Sequence, residues 1–598
     1  MMSKIKSREE IDSRYKWKLE DIYPDEEAWE EDYQFVQNKM QAIAELQGTL
    51  GQSAQKLLEA LRMLDEIGQK QEKTYVYSKM RRDENNADPK YQNLFQRAEN
   101  LAVQLGSAVS FIVPEITGIP SEKLAAFIDE NKDLQLYRHY LDEIMRQKEH
   151  ILSAAEERIL AMTADLSMAS GNIFSLFNNA DIKFPVIKDE QGQEVEITKG
   201  RYGRFMESTD RRVRKEAFEG LFDTYGKFKN TLAATLNSSI KSDVFYARVR
   251  KYPSSLHASL DQDNISPDVY HRLIETVHNN LKYMYQYVAL RKRLLGVDEL
   301  HMYDLYVPMV KDAAMDIPYE KARELVIEGL KPLGEEYVAK LAEGLDSGWV
   351  DVYENEGKTS GAYSWGTYGT HPYVLLNYDN KLDDVFTLAH EMGHSMHTYY
   401  SNLCQPYVYS KYPIFLAEVA STVNEALLID YLLDKTKDKK EKMYLLNHYL
   451  EQFRGTVFRQ TMFAEFEKVV REKAERGVPL NSESFSKIYQ DLNRLYYGPE
   501  MVIDPQIAIE WARIPHFYSG FYVYKYATGF SAAIALKQQL AKGDQSAVNR
   551  YMQFLKSGGS DYPLNILKKA GVDLTTPQPV EEAMQYFAKL LQELESMI

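Results

Sequence analysis

The sequence predicts a mostly α-helical protein that contains one small β-hairpin and one small β-sheet. Apolar residues recur three and four positions apart from residue 7 to about 180 and again from 210 to about 345, as they do on one face of a helix. No fixed-period repeat accompanies this pattern, which argues against a solenoid. Helical patterning also dominates from about residue 383 to the end of the sequence.

Two short blocks interrupt the helical pattern and predict the β structure. In the first block, apolar segments on both sides of a turn at Gly192 indicate a β-hairpin. The segment 200–205 then marks a boundary, which predicts an N-terminal helical domain over 1–200 and a second domain over 201–598. The second block, over 349–378, contains Gly361, Gly366 and Gly369 and ends in a strand-like run that leads directly into a helix. We therefore expect a small sheet beside the start of that helix.

Composition and charge exclude several functional classes. The 598 residues include 72 basic and 88 acidic side chains, a net charge of −16 that repels phosphate backbones, so we expect no nucleic-acid partner. The single cysteine, Cys404, excludes an internal disulfide and a cysteine-rich zinc site, and it favours a reducing compartment. The sequence shows no signal-like start and no run near 18 apolar residues, which predicts a cytoplasmic protein without a membrane partner.

Three weaker motifs carry little functional information. Gly357-Lys-Thr resembles the end of a phosphate-binding loop, but that loop needs a glycine where the chain has Val352. The glycines between 361 and 369 lack the spacing of a dinucleotide site and are expected to be turn glycines. Cys404 has no neighbouring charge that would activate it as a nucleophile.

The motif H-E-M-G-H at residues 390–394 carries the strongest chemical signal. Residues four apart on a helix differ by about 40° in angle, so His390 and His394 can face one cation. Glu391 lies in the general-base position of H-E-x-x-H metallopeptidases, within reach of a water beside the metal. By chance, a chain of this composition would contain about 0.035 such motifs. The motif therefore predicts one Zn²⁺ per chain, with Gly393 leaving room for close packing near it.

A catalytic zinc normally takes three protein ligands, so a third ligand is needed. The extended metzincin motif requires glycine at 397 and histidine at 400, whereas the chain has His397 and Tyr400. His397 shares the face of the two histidines and is a rival ligand, but three ligands from one helix strain a tetrahedron, so we expect it near the site without binding the metal. Glu418 and Glu425 lie seven residues apart in the next apolar helix and thus on one face. We expect Glu418 to bind the metal and Glu425 to orient the metal ligands without binding the metal itself.

These residues resemble the zinc site of the thimet oligopeptidase family, and in particular its oligoendopeptidase F branch. The similarity includes residues 390–397 and 415–421 and extends over nearly the whole chain. It implies a helical ellipsoid of two lobes with a deep channel that admits only short, unstructured peptides, and with the zinc on its floor. It also implies that Glu418 is the third ligand and that 201–598 is the metallopeptidase domain, contributing to both sides of the channel.

A tyrosine-rich segment near the C-terminus is expected to complete the catalytic site. Hydrolysis of an amide passes through an oxyanion, and hydrogen-bond donors placed where that charge develops are usually the largest catalytic factor. In the family that the motifs resemble, a histidine and tyrosines of this segment face the zinc. We expect His516 and Tyr526 to fill these roles first, followed by Tyr518 and Tyr522. The register stays open because thimet-type members space the histidine and the final tyrosine slightly further apart.

Together these patterns predict a zinc-dependent endopeptidase that hydrolyses internal bonds of short, unstructured oligopeptides. Zinc would polarise the scissile carbonyl and activate a water, and Glu391 would accept the proton and pass it to the leaving amine. The strand before the zinc helix is expected to bind the substrate backbone through an unpaired edge. The residues of this strand are Tyr373, Val374, Leu375, Leu376 and Asn377.

Two other functions remain open from the sequence. The chain could be a catalytically inactive peptide-binding protein, although such a protein has no need for Glu391, or a metal-dependent hydrolase of non-peptide amides. Arg454, Arg459 and Arg513 are candidates to hold a peptide carboxylate, but nothing in the local sequence separates them from structural arginines. The oligomeric state, monomer or homodimer, is not determined by these patterns.

Overall fold

The computed structural model describes residues 5–310 and 316–598, and most of these residues are helical. Part of the predicted helical stretch 210–345, residues 311–315, lies outside the described residues. The α-helices, in chain order, are α1 Glu26–Ala44, α2 Ala54–Glu84, α3 Pro89–Val109, α4 Ile112–Gly118, α5 Ser121–Glu130, α6 Arg138–Arg146, α7 Ala154–Met162, α8 Ala164–Leu176, α9 Lys199–Glu207, α10 Arg211–Lys227, α11 Lys229–Val249, α12 Ser255–Asp261, α13 Pro267–Asn279, α14 Leu281–Leu295, α15 Tyr319–Gly329, α16 Glu335–Asp346, α17 Leu382–Cys404, α18 Tyr407–Ser410, α19 Ile414–Lys435, α20 Lys439–Phe453, α21 Arg459–Glu475, α22 Ser482–Tyr497, α23 Tyr524–Leu540, α24 Gln545–Lys556, α25 Pro563–Ala570 and α26 Gln578–Ser596.

The β structure is confined to short strands, as predicted. The strands are β1 Val186–Lys188, β2 Glu194–Glu196, β3 Leu300–His301, β4 Val350–Asp351, β5 Tyr363–Trp365, β6 Tyr373–Leu375 and β7 Met501–Val502. β1 and β2 form the predicted antiparallel hairpin, and Gly192 takes a positive φ of 78° in its turn, a conformation that favours glycine. The mostly α-helical fold with small sheets is therefore confirmed.

The described residues fall into two compact units. The first comprises residues 5–151, 316–432 and 536–571, and the second comprises 152–310, 433–535 and 572–598. The chain passes from one unit to the other several times. The predicted boundary at residue 200 therefore differs from this division, because residues 152–200, including the hairpin, belong to the second unit.

In the first unit, α1, α2 and α3 pack together around an apolar core. Each of these helices begins after a residue whose side chain accepts a backbone N–H of the first turn, which offsets the unpaired donors at a helix start. The three capping residues are Asp25, Ser53 and Asp88. Trp29 is fully buried, and its indole N–H donates to the Thr74 carbonyl at 3.0 Å, which ties α1 to α2.

The three-stranded sheet of the first unit has the order β4-β6-β5, with β6 in the centre. β6 pairs with β4 in parallel and with β5 in antiparallel orientation, and its residues Tyr373, Val374 and Leu375 are fully buried. The predicted unpaired edge over 373–377 is therefore wrong. The physical reason is that a continuous apolar run suits a strand that is covered on both faces, as central strands are.

The last two residues of the predicted substrate strand are also used within the unit. Leu376 is buried, and its backbone N–H donates to the Asp351 carbonyl at 2.8 Å. The Asn377 side-chain amide donates to the carbonyls of Thr359 and Gly361, at 3.0 and 2.8 Å. These residues hold the sheet together, and the outer strands of the sheet are β4 and β5.

The second unit has an aromatic core around α21 and α22. The Phe466 ring lies 5.4 Å from Tyr489 and 4.9 Å from Phe517, measured between ring centroids. Phe517 belongs to a short 3-10 helix, Pro515–Tyr518, which follows a longer one at Pro505–Arg513. A single π-helical turn, Arg454–Phe458, joins α20 to α21.

Two helical stretches of the described chain, 89–118 and 155–181, are long and apolar enough to cross a membrane by length and composition alone. In the first stretch 33% of the most apolar window is buried, and in the second 12% is buried. Core helices of water-soluble proteins can meet the same criterion, so the expectation of no membrane partner stays a prediction.

Candidate active site

Helix α17 carries the H-E-x-x-H motif, and hydrogen bonds to the segment before it fix the residue at which it begins. The Asp384 carboxylate in its first turn accepts the backbone N–H groups of Asp379 and Lys381, at 2.8 and 2.9 Å. A carboxylate at this end of a helix also interacts favourably with the helix dipole. This arrangement fixes where α17 begins relative to strand β6, seven residues earlier in the chain.

Gly393 allows α17 to pack closely against α19. A Cβ atom at this position would lie 2.6 Å from the Ser421 Cα and 2.9 Å from the Ala420 carbonyl oxygen, closer than such atoms can approach. The contact is further fixed by the buried Asn424, whose amide donates to the Ala389 carbonyl at 3.0 Å. The two helices are therefore held at backbone contact at the level of the histidines.

This packing brings three potential metal ligands together. The Nε2 atoms of His390 and His394 lie 3.2 Å apart, and Glu418 Oε2 lies 3.5 Å from the first and 3.8 Å from the second. A tetrahedral zinc with ligand bonds of 2.0–2.1 Å requires ligand atoms about 3.3–3.4 Å apart. The three donor atoms thus fit a zinc ion, and they form the one cluster of this kind among the described residues.

The groups behind the three ligands fix their orientation. Glu425 Oε1 lies 2.5 Å from His390 Nδ1, and the Ala417 carbonyl accepts a hydrogen bond from His394. When Nδ1 of a histidine is engaged in this way, Nε2 is left to bind a metal. The Ser421 hydroxyl lies 3.1 Å from the Glu418 carbonyl oxygen and 3.3 Å from the Glu418 carboxylate, and it can donate to either. Each ligand therefore has an orienting partner.

The charges of the site favour a cation. Burial opposes protonation of His390, but the hydrogen bond to Glu425 and the nearby carboxylates of Glu391 and Glu418 raise its pKa to about 9. Burial and the charge of His390 lower the pKa of His394 to about 3. Three carboxylates thus surround a pair of histidines that hold a single proton, and a divalent cation would replace that proton.

Glu391 lies beside the ligands in a buried position suited to proton transfer. Burial raises the pKa of its carboxyl group to about 7, the charge of His390 opposes this rise, and the Ser364 backbone N–H bonds the carboxylate and also lowers the pKa. A general base works best when its pKa lies near the working pH. Glu391 therefore has the protonation behaviour that its position in the motif requires.

Strand β5 presents a free backbone edge next to Glu391. Ser364 lies opposite Val374, whose N–H bonds the Trp349 carbonyl before β4 and so points away from β5. In an antiparallel pair, the N–H and C=O groups of a residue in such a position point to the outer side of the strand. The Ser364 side chain also contacts the Ser395 hydroxyl of α17, with 2.8 Å between their Oγ atoms. This contact fastens β5 to the helix that carries Glu391.

His397 lies outside the group of donor atoms. Its ring is 1% exposed and stacks on the Tyr412 ring at 3.6 Å with an interplanar angle of 4°. Phe554 lies 5.0 Å away, and burial lowers the pKa of His397 to about 3. These contacts indicate that His397 packs next to the site and does not bind the metal.

The residues expected to stabilise the oxyanion lie in the second unit. His516, Tyr522 and Tyr526 form a ring cluster with centroid separations of 5.5 to 6.3 Å. Burial lowers the pKa of His516, so its imidazole is neutral at neutral pH and can donate a hydrogen bond. Tyr518 lies apart from this cluster and stacks on Phe174 at 4.5 Å.

Several groups that shape the site gave no recognisable signal in the sequence. The Ser364 backbone N–H, the Ala417 carbonyl and the Ser364–Ser395 contact depend on which segments become neighbours in the fold. Asn424 could have been singled out, because an amide in the middle of an apolar helix needs a buried partner.

The sequence matches known families and known proteins over most of its length. Residues 204–586 match the family described as peptidase family M3, and residues 115–184 match the one described as oligopeptidase F. The chain is 49% identical to oligopeptidase PepF of Bacillus subtilis over 596 residues, which cover 100% of this chain and 89% of that protein. It is 40% identical to group B oligopeptidase PepB of Streptococcus agalactiae over 592 residues, or 99% and 98% of the two chains.

Solved structures show the same relationship. Oligoendopeptidase-F from Enterococcus faecium matches with a TM-score of 0.75 and 40% identity, covering 96% of this chain and 99% of that chain. The crystal structure of a protein from Chlamydophila abortus matches with a TM-score of 0.93 and 38% identity over 100% of both chains. On its sequence and its fold, the chain belongs to peptidase family M3 and is an oligopeptidase of the oligopeptidase F type.

Proposed function

We propose that this peptidase is a zinc-dependent endopeptidase that cleaves internal bonds of short, unstructured peptides. The observation that carries the proposal is the triangle of His390 Nε2, His394 Nε2 and Glu418 Oε2, with sides of 3.2 to 3.8 Å and with buried Glu391 beside it. A cytoplasmic site of action is part of the proposal and is supported by Cys404, which is exposed and unpaired.

When bound by the three ligands, zinc would polarise the scissile carbonyl and bring the pKa of a water to about 7. Glu391 accepts a proton from that water as it attacks, and then donates a proton to the nitrogen of the leaving amine. The Ser364 N–H keeps the Glu391 carboxylate oriented between these two transfers. His390 is held by Glu425, so the pair of ligands on α17 stays in one orientation during the reaction.

Strand β5 is the proposed binding edge for the peptide backbone. The carbonyl of Ser364 faces outward at that edge, where it can accept an N–H from an extended substrate. Recognition through backbone groups explains how one site can accept peptides of different sequence. This role replaces the one first expected for β6.

His516 and Tyr526 are the proposed donors to the oxyanion, and the ring of Tyr522 packs beside both of them. A neutral imidazole and a phenol can each donate a hydrogen bond to developing negative charge without carrying a charge of their own. Tyr518 has a different neighbour, Phe174, which supports a packing role for its ring.

An internally quenched peptide of about ten residues tests the proposal. We expect cleavage between internal residues, loss of cleavage after treatment with a chelator, and recovery after zinc is added. Glu391→Gln, which keeps the size of the side chain, is expected to bind zinc at wild-type occupancy and to lose at least about 10³-fold in kcat. Binding of the peptide without any chelator-sensitive cleavage would instead support a peptide-binding protein, and cleavage of non-peptide amides alone would support the other alternative.

A further inference from the structure

The second unit contains a buried group of arginines that the proposed mechanism does not use. This arginine cluster consists of Arg291, Arg454, Arg459 and Arg513 together with two carboxylates, Glu451 and Glu510. Its members come from α14, α20, the π-helical turn, α21 and the 3-10 helix Pro505–Arg513. Three of the arginines were candidates to hold a peptide carboxylate on the sequence alone.

Glu451 is shared by two of the arginines. Its Oε2 accepts from Arg454 Nε and Nη2 at 3.0 and 2.7 Å, and its Oε1 accepts from Arg291 Nη1 at 3.1 Å. Tyr287 donates its hydroxyl to the same Oε1 atom. The acceptor capacity of Glu451 is therefore largely used within the cluster.

Glu510 is shared by the other two arginines. Arg459 bonds it through both terminal nitrogens, at 2.8 and 3.2 Å, and Arg513 Nη2 donates to it at 3.0 Å. The Tyr489 hydroxyl adds a fourth hydrogen bond at 2.6 Å. Burial alone would raise the pKa of this carboxyl group, but Arg459 and Arg513 lower it to about 2.

Four guanidinium groups against two carboxylates leave the described part of the cluster with an excess of two positive charges. Asp304, whose main-chain carbonyl accepts from Arg291, has its carboxylate already paired with Arg211 and Arg214 at 2.8 and 2.7 Å. Arg291 and Arg454 are only 1% and 3% exposed. Unbalanced charge in such a buried position is unfavourable unless an anion or strong hydrogen-bond acceptor is supplied.

The cluster also has hydrogen-bond donors without an acceptor. Arg454 Nη1 and Arg513 Nε are buried and have no hydrogen-bond partner. Both arginines interact electrostatically with Tyr306. The guanidinium carbon of Arg454 lies over the Tyr306 ring, 4.8 Å from its centroid. Burial raises the pKa of Tyr306, but Arg459, Arg454 and Arg513 together lower it below its usual value, as expected for a phenol in a positive field.

A π-helical turn of the backbone separates two of the arginines, Arg454 and Arg459. The π-helical turn Arg454–Phe458 adds one residue to the helix, so that Arg454 and Arg459 occupy adjacent turns as residues four apart do in a regular helix. Such single π-turns are rare and occur often at functional sites. The turn therefore concentrates positive charge on one side of the α20–α21 segment.

We propose that the arginine cluster binds a carboxylate of the peptide substrate, with Arg454 and Arg513 as the donors and Tyr306 beside them. This inference rests on the proposed function, since it assigns a partner to the same substrate. The side chain of Arg513 is 27% exposed and that of Arg459 is 13% exposed, so solvent reaches the edge of the cluster at these two residues.

The position of Arg513 in the chain connects the cluster to the proposed reaction. Arg513 precedes His516 by three residues, and three residues span at most about 10 Å. If His516 faces the scissile bond, a carboxylate held by Arg513 lies within a few peptide residues of that bond. The cluster would thus favour substrates with a carboxylate a short distance from the cleavage point.

Two sources can supply that carboxylate, the C-terminus of the peptide or an acidic side chain. Three quenched peptides that differ only at the C-terminal end separate them: one with a free C-terminal carboxylate, one with a C-terminal amide, and one amide whose last residue is replaced by glutamate. The wild-type enzyme is expected to cleave the free acid with a KM about tenfold below that of the plain amide and with a similar kcat. A low KM for the glutamate amide as well would identify carboxylate chemistry in general.

Arg513→Gln is the test variant, because glutamine can still donate to Glu510 while the charge and the Nε donor are lost. We expect its KM for the free acid to rise about tenfold, to the value for the plain amide, while the KM for that amide and both kcat values change less than about twofold. Arg476→Gln is the matched control, since Arg476 is an exposed arginine of the same unit that lies outside the cluster. Equal KM values for acid and amide in the wild-type enzyme would overturn the proposal.

A binding measurement decides the proposal independently of turnover. In the Glu391→Gln enzyme, the acetylated dipeptide Ala-Ala with a free carboxylate is expected to raise the midpoint of thermal unfolding by about 1 °C or more at constant ionic strength, and its amide is expected not to do so. Adding Arg513→Gln is expected to remove the effect. If no peptide is cleaved but the acid still stabilises the protein selectively, the proposed function fails and the carboxylate site stands, whereas equal effects of acid and amide overturn the site.

Discussion

Replacement of Gly393 by alanine tests whether close packing of α17 on α19 creates the metal site. The added Cβ would lie 2.6 Å from the Ser421 Cα and 3.0 Å from the Ser421 nitrogen, and both of these are backbone atoms that cannot rotate away. Ordinary contacts of such atoms begin near 3.4 Å. The two helices must therefore separate by about 1 Å at this level to accept one methyl group.

The expected effect on stability combines two opposing contributions. Overpacking of a tight contact costs about 1–3 kcal/mol. Alanine in place of glycine in a helix interior stabilises the folded protein by about 1 kcal/mol. We therefore expect Gly393→Ala to lower the free energy of unfolding by up to about 2 kcal/mol. A change of this size is measurable and leaves the protein folded.

The effect on metal binding follows from the same displacement. Glu418 lies on α19 three residues before Ser421, and its Oε2 atom is 3.5 and 3.8 Å from the two histidine nitrogens. A shift of about 1 Å would lengthen these separations beyond what a tetrahedral zinc accepts, and we expect the zinc Kd to rise about tenfold or more. The zinc Kd is measured by competition with a chromogenic chelator, and the free energy of unfolding by urea denaturation.

Gly106→Ala is the matched control for this experiment. Gly106 lies in α3 of the same unit, and a Cβ there would have no heavy atom within 4 Å. We expect this variant to gain about 0.5–1 kcal/mol of stability and to bind zinc normally. If Gly393→Ala behaves like Gly106→Ala in both measurements, close packing of the helices is not what forms the site.

Three further predictions concern the ligands and their partners. Glu418→Ala is expected to purify without zinc because one of three ligands is lost, and full zinc occupancy in this variant would refute the ligand assignment. Glu425→Gln is expected to raise the zinc Kd about 10- to 100-fold, because His390 loses the carboxylate that orients it; an unchanged Kd would show that the 2.5 Å contact is dispensable. Because the pKa of His390 is raised to about 9, zinc must displace a proton below that pH, so we expect the apparent zinc affinity to rise about tenfold per unit between pH 7 and 9 and then level off. An affinity independent of pH in this range would contradict the last prediction.

The local parts of the site could be predicted from the sequence. His390, Glu391 and His394 lie within one helical turn and a half, so their relative placement follows from helix geometry alone. The need for a carboxylate in the following apolar helix also follows from the sequence, because a charge in an apolar stripe requires a partner. Residues 349–378 were correctly predicted to form a small sheet, because glycines and a strand-like run mark this block as β structure.

The pairing of the strands was decided by the tertiary structure. The run 373–375 predicts a strand, but its two neighbours, β4 and β5, come from segments whose order in the sheet is not encoded in the run itself. A continuous apolar run is a weak sign of a central position. The free edge that lies beside Glu391 belongs to β5, which is less apolar and lies ten residues earlier.

The sequence by itself thus determined the family, the helical character and the residues able to bind a metal, because these depend on motifs and periodicities within short segments. Tertiary structure alone decided that Gly393 brings Glu418 to the histidines, that Ser364 faces Glu391 and that four arginines share two carboxylates. Arg291 and Glu451 are 160 residues apart, and nothing local to either residue encodes their pairing. The physical reason is that hydrogen bonds and ion pairs act over a few ångströms of space, whatever the separation along the chain.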